Sequence, residues 1–417
     1  MGTTASAPRA TWLIGPALVA GVAYLDPGNV ASNMTAGARF GYLLVWVVVL
    51  GNATAWLVQY LSAKLGVVTG RSLSETLGRR LRSPWARRAY WLQAELVAMA
   101  TDIAEVIGGA VALNLLFGLP LVWGGALTGG VSLALLLVQS RAGARPFEFV
   151  VIGLVVVIAV GFTVGVFVGP PDPAGVAGGL VPRFEGTGSV LLAASILGAT
   201  IMPHAIYAHS ALARDRFAPP AGREGDLAEL RGIPTARLLR ATRWDVTIAM
   251  LVAGTVNVCI LLVAAAALAG VPGTDSLEGA YAALRDGIGP TVAVLFAVGL
   301  LASGLASTSV GAYAGAEIMH GLLRVRVPLA ARRLVTLVPA LVVLAAGVDP
   351  TLALVLSQVV LSFGIPFALV PLVRLTADAD VLGRHRNRSV TTWAGIMASV
   401  FLIALNGVLL WLVLTGS

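Results

Sequence analysis

The chain alternates long apolar runs with short polar connectors rich in arginine. A helix that crosses a bilayer needs about 20 mostly apolar residues. Eleven runs have that character: roughly 12–38, 41–63, 86–117, 119–138, 147–168, 188–212, 244–269, 288–319, 329–346, 351–373 and 389–414. Ser83-Pro84 and Asp349-Pro350 punctuate two starts, with a capping side chain followed by proline in the first turn. No stretch shows the two-residue alternation of a membrane β-barrel. Two runs are interrupted. The first contains Ala23-Tyr24-Leu25-Asp26-Pro27-Gly28-Asn29, and the sixth contains Ala199-Thr200-Ile201-Met202-Pro203-His204. Proline lacks the N–H that would bond the carbonyl four residues back, so Pro27 frees the carbonyl of Ala23 and Pro203 that of Ala199. The breaks lie five helices apart. They predict two inverted five-helix repeats, about 12–168 and 188–373, with an eleventh helix at about 389–414. The whole chain, 1–417, is then one all-α polytopic membrane domain.

Composition supports lipid as the solvent. Of 417 residues, 58% are hydrophobic and only 12% charged, against about 25% charged in a soluble domain. The net charge of +8 does not point to nucleic acid, because the arginines share neither one face nor one segment. They follow topology instead. With the N-terminus in the cytoplasm, 25 of the 28 basic residues fall on the cytoplasmic side, leaving Arg39, Arg183 and Arg285 outside. Such a bias predicts a multi-pass protein of the cell membrane with its C-terminus outside. The single cysteine, Cys259, excludes an internal disulfide and a thiolate cluster. Met1 to Ala10 holds one arginine and precedes no small-residue cleavage site, so no removable signal peptide is expected.

Non-helical backbone at membrane depth persists only where it is buried in protein or lines a watery cavity, and matching breaks in two halves mark a transporter binding site. An intramembrane aspartate costs about 2.5–3.5 kcal/mol on insertion scales, so Asp26 requires an offset. Asp26 and Asn29 offer hard oxygens, the Ala23 and Ala199 carbonyls offer more, and Met202 offers a thioether. Carboxylate and carbonyl suit Mg, Ca or Mn, while sulfur favours later transition metals. The mixture fits Mn²⁺, Fe²⁺ or Cd²⁺. Met202 is read equally well as packing or as a ligand. Asn52, in the second run, is a candidate polar support behind the site.

Glu95, Asp102 and Glu105 fall within roughly 80° on one helix and span about 15 Å along it. Such a face cannot meet lipid. It is either a structural network with the Arg332-Arg333 pair or a proton relay. A cation-coupled amino-acid carrier is the alternative, but Asp26 would repel a substrate carboxylate. An intramembrane metalloenzyme needs a closely spaced histidine pair, and His204 and His209 point about 140° apart. Nothing resembles a channel filter repeat.

Asp26-Pro27-Gly28-Asn29 and Met202-Pro203-His204 resemble the signature motifs of the Nramp family of divalent metal transporters. The run from Gln93 to Glu105 resembles that family's third helix, and Leu356-Ser357-Gln358 its tenth. The similarity covers about residues 12–415. It implies a LeuT-like fold with helices one and six unwound, and proton-coupled import of Mn²⁺ or Fe²⁺. It also implies metal ligation by Asp26, Asn29, Met202 and the Ala199 carbonyl, joined in some states by the Ala23 carbonyl or Gln358. The implied proton route is lined by Asp26, His204, Glu105, Asp102, Arg333, Arg332 and Glu95. No permanently bound cofactor and no obligate protein partner is implied; the partners are divalent ions, protons and the bilayer. Eleven spans match the bacterial branch. Thr35 stands where relatives often carry Gln, which bears on the outer vestibule. The retained Met202 separates the chain from members associated with magnesium or aluminium.

Overall fold

The computed structural model describes residues 15–142, 144–218, 231–325 and 327–415, without the side chains of 136–142, 144–149, 151, 309, 329 and 330. Helix α1 (Pro16–Gly21) runs through a 3-10 turn (Val22–Leu25) to Asp26, after which α2 (Pro27–Phe40) begins. Then follow α3 (Val45–Thr69), α4 (Leu73–Arg80), α5 (Pro84–Phe117), α6 (Leu121–Ala142) and α7 (Ala144–Val168). The second half holds α8 (Pro173–Gly179), α9 (Gly186–Thr200), α10 (Pro203–Arg216), α11 (Thr235–Ala267), α12 (Leu277–Gly287), α13 (Pro290–Leu323) and α14 (Leu329–Ala345). It closes with α15 (Pro350–Ala377) and α16 (Ser389–Thr415). No strand occurs among the described residues.

Each expected span has a helix, or a broken pair, at its place. Among the described residues, six helices, and α9 with α10 taken as one segment (Gly186–Arg216), are long and apolar enough to cross a membrane on those grounds alone. Shorter apolar stretches are Pro16–Leu25, Leu121–Leu135 and Ile152–Val168. The expected caps form: the Ser83 hydroxyl accepts from the Ala86 N–H at 3.4 Å, and Asp349 Oδ1 accepts from the Leu352 N–H at 2.6 Å. The connector helices α4, α8 and α12, and a short helical turn at Ala379–Leu382 between α15 and α16, were not expected. Helix α4 carries a legible sign of itself, since Ser72 and Glu75 form a reciprocal capping box (3.2 and 2.7 Å).

The bundle is held by close backbone approaches as well as apolar side chains. A Cβ at Gly66 of α3 would lie 2.1 Å from the Ser210 carbonyl oxygen of α10, so the two helices touch where only glycine fits. One contiguous apolar core runs through both halves. Large side chains such as Val338, Val342 and Trp411 remain exposed, as expected of surfaces that face lipid tails. Both breaks lie deep inside: α2 packs on α9, α1 packs on α10, and α15 packs on α9 and α2.

Candidate functional site

Asp26 adopts an extended conformation (φ −71°, ψ 164°) and caps α2. Its Oδ1 accepts from the Asn29 backbone N–H at 2.7 Å and from Asn29 Nδ2 at 2.8 Å. Pro27 supplies the first helical turn without a donor, as a helix start permits. Carbonyls around the break find partners on other helices. Tyr24 O accepts from Asn257 Nδ2 of α11 at 3.1 Å, and Leu25 O accepts from the Ser303 hydroxyl of α13. Ala23 sits in the 3-10 turn just before them, buried.

The second break separates α9 from α10. Met202 (φ −35°, ψ 118°) precedes Pro203 and is fully buried. A hydrogen bond joins the two breaks: Asn29 Nδ2 donates to the Ala199 carbonyl at 2.9 Å. Gln358 of α15 completes the cluster, its Nε2 donating to Asp26 Oδ2 at 3.3 Å and to the Ser357 hydroxyl at 3.1 Å. Asp26, Asn29, Ala199, Met202 and Gln358 are all 0% exposed. Two glycines make the convergence possible. A Cβ at Gly28 would lie 1.8 Å from Gln358 Nε2, and one at Gly198 would lie 1.9 Å from the Gln358 carbonyl oxygen.

The partners of Asp26 are amides. Among the described residues no cationic side chain forms an ion pair with it. Asn29 Oδ1 and Gln358 Oε1 are buried with no hydrogen-bond partner. A buried carboxylate without a cation, beside two unsatisfied amide oxygens, is costly unless a cation visits. Turning the Asn29 amide would also release the Ala199 carbonyl. No group of three or more His, Cys, Asp or Glu able to hold a metal exists among the described residues. A metal ion here would therefore take one carboxylate plus amide, carbonyl and thioether groups, a set too poor in fixed charge to be a permanent cage.

The acid stripe of α5 is partnered differently. Glu95 Oε1 pairs with Arg332 Nη2 at 2.7 Å, and Asp102 Oδ1 with Arg333 Nη1 at 3.2 Å. Longer contacts of 3.7 Å join Arg332 to Asp102 and Arg333 to Glu105. Arg333 also donates to the hydroxyls of Ser132 (2.9 Å) and Thr308 (3.3 Å). Helix α13 makes room with glycine: a Cβ at Gly315 would lie 1.9 Å from the Arg332 guanidinium carbon. His204, in the first turn of α10, places Nδ1 3.2 Å from the Thr101 hydroxyl of α5, and so links the second break to the stripe. Asn52 is tied elsewhere, its amide donating to the Gly254 carbonyl of α11 at 3.3 Å.

Three features were not read from the sequence. Gln59 donates to the Tyr24 hydroxyl and lies 2.6 Å from His209 Nδ1, a buried chain beneath the first break. The hydroxyls of Ser32 and Ser195 meet at 2.6 Å between α2 and α9. Asp245 of α11 accepts from the N–H groups of Gly15 (3.1 Å) and Ala17 (2.9 Å), pinning the start of α1. Each is a polar residue inside an apolar run, which is a signal, but the partner lies on a distant helix.

The sequence model for natural resistance-associated macrophage protein-like (Nramp) proteins matches residues 17–412. The chain belongs to the Nramp family. It is 59% identical over 414 residues to the divalent metal cation transporter MntH of Mycobacterium tuberculosis, covering 99% of this chain and 94% of that protein. The crystal structure of the Eremococcus coleocola manganese transporter superposes with a TM-score of 0.82 at 33% identity, over 97% of this chain and 88% of that one. The fold reaches beyond the Nramp family: Mhp1, a nucleobase-cation-symport-1 family transporter, matches with a TM-score of 0.53 at 15% identity, over 94% of this chain and 86% of that one.

Proposed function

We propose that this Nramp-family chain is a secondary transporter that imports divalent transition-metal ions, Mn²⁺ foremost, across the cell membrane with proton flow. The observation that carries the reading is the cation-free Asp26 carboxylate beside the unsatisfied oxygens of Asn29 and Gln358. Relatives that transport divalent metal cations, and manganese in particular, support the same substrate class. The cargo is held by Asp26, Asn29, Met202 and the Ala199 carbonyl, with Gln358 or the Ala23 carbonyl joining as the broken helices move. Fe²⁺ and Cd²⁺ share the chemistry of the mixed oxygen and sulfur site.

The α5 stripe is the proposed proton route. His204 and Thr101 connect the second break to Asp102 and Glu105, and the Arg333 and Arg332 pairs continue to Glu95. With the N-terminus in the cytoplasm, this line runs inward from the metal site. An amino-acid substrate is disfavoured, because its carboxylate would meet that of Asp26. The test is radiolabelled Mn²⁺ uptake into proteoliposomes that carry an internal pH dye. Acidification that accompanies Mn²⁺ entry supports coupled import. Mn²⁺ entry with no pH change at any imposed proton gradient overturns the coupling, and no Mn²⁺ entry overturns the substrate.

A further inference from the structure

The loop between α15 and α16 forms a second, unrelated site. A cavity of about 730 Å³ lies there, lined by Arg384, Arg386 and Arg388 together with Ser389, Thr392 and Trp393. None of its lining residues is acidic. Among the described residues no acid pairs with the three arginines; the neighbouring Asp378 carboxylate is held instead by Arg80 at 2.7 Å. The loop is anchored. The Asn387 backbone N–H donates to Thr376 O at 2.9 Å, its Nδ2 to the Thr376 hydroxyl at 2.8 Å, and Lys64 Nζ donates to its Oδ1 at 2.9 Å. The first turn of the 27-residue α16 opens into the cavity through Ser389 and Thr392, adding the positive end of its dipole.

Three arginines lining one cavity on an anchored loop suit a phosphate. The surroundings say what carries it. Ile396 lines the same cavity, and from Trp393 the exposed side chains Ile396, Val400, Ile403 and Leu410 continue along one face of α16 at helical spacing. An exposed tryptophan at the junction of a basic pocket and an apolar stripe marks a membrane–water interface. A soluble phosphate or nucleotide would use the pocket and ignore the stripe; a phospholipid uses both. We infer that this site binds the headgroup of an anionic phospholipid in the arginine pocket, with its acyl chains along the Trp393–Leu410 face of α16.

The site makes no use of the metal ligands, so its test is independent of the transport reading. The full-length protein would be reconstituted in nanodiscs containing phosphatidylglycerol and phosphatidylcholine. Retained lipids would then be counted by native mass spectrometry after release. Wild type should retain phosphatidylglycerol over phosphatidylcholine. The R384Q/R386Q/R388Q variant should lose that preference about tenfold or more, as three juxtamembrane charges allow. The R79Q/R237Q/R240Q variant, which removes three exposed arginines elsewhere, should keep it. V400N/I403N should weaken retention with the arginines intact, and millimolar inorganic phosphate should not displace the lipid. An unchanged thermal unfolding temperature for each variant verifies its fold. Equal retention by the loop variant, or equal loss in the control, overturns the site. Displacement by inorganic phosphate together with an unaffected V400N/I403N variant assigns the pocket to free phosphate and overturns the lipid.

Discussion

Asp26 at the first break and the acids of α5 are all carboxylates inside one helical bundle, yet their partners differ in kind. Asp102 and Glu105 share Arg333, and Glu95 holds Arg332 at 2.7 Å. Among the described residues Asp26 has amide partners and no cation: the side chains of Asn29 and Gln358 and the backbone N–H groups of Asn29 and Gly28. Glu95 and Asp102 are each matched by a guanidinium of the protein itself, which makes those pairs permanent members of the fold; Glu105 is the third acid to two arginines, its carboxylate oxygens buried without a hydrogen-bond partner. The Asp26 charge is left for something that comes and goes. A transported dication must be attracted and then released, and a resident arginine at Asp26 would occupy its place.

The largest expected effect follows from that difference. Asp26→Asn keeps the shape of the site and removes its only fixed charge, so Mn²⁺ uptake should fall by about 100-fold or more, where each tenfold is about 1.4 kcal/mol. Folding should survive, because no ion pair is broken. Arg333→Met should do the reverse to the fold. It strands Asp102 and Glu105, and removing one partner of a buried pair costs about 3–5 kcal/mol. A clear drop in thermal unfolding temperature should appear for Arg333→Met and not for Asp26→Asn; equal drops would erase the distinction between the two regions.

Smaller effects sharpen it. Asp102→Asn or Glu105→Gln should reduce metal-driven proton entry more than Mn²⁺ affinity, since the ion pairs of both acids are with Arg332 and Arg333 rather than with the proposed ligands. Parallel loss of both would mark the stripe as scaffold only. Met202→Ala should leave substantial Mn²⁺ uptake, because Mn²⁺ is itself fairly hard, but weaken Cd²⁺ binding and admit Ca²⁺. Excess Ca²⁺ should then inhibit the variant more than wild type. No added inhibition would make Met202 a packing residue.

Much of this was legible in the sequence. The helix sites, both breaks and the starts at Ser83 and Asp349 follow from local pattern and cap chemistry, which require no knowledge of neighbours. The stripe's pairing with Arg332 and Arg333 was one of two open readings, and the structure supplies its ion pairs. What was not legible depends on which helices meet. Gly28 stands in the break motif and Gly198 beside the second break, but that both make room for Gln358 shows only when the helices meet. Asn52 seemed a support for the site from its depth, but it turns to Gly254 on α11. The Tyr24–Gln59–His209 chain joins three helices far apart in sequence, and no residue spacing announces it. Connector helix α4 is signalled locally by Ser72 and Glu75, the two halves of its capping box.

The most direct measurement compares Mn²⁺ binding by isothermal titration calorimetry to wild type, Asp26→Asn and Asp102→Asn at one pH. The expected result is binding lost in Asp26→Asn and retained within a few fold in Asp102→Asn. Retained binding in Asp26→Asn would contradict the reading that its cation-free carboxylate is the seat of the transported ion.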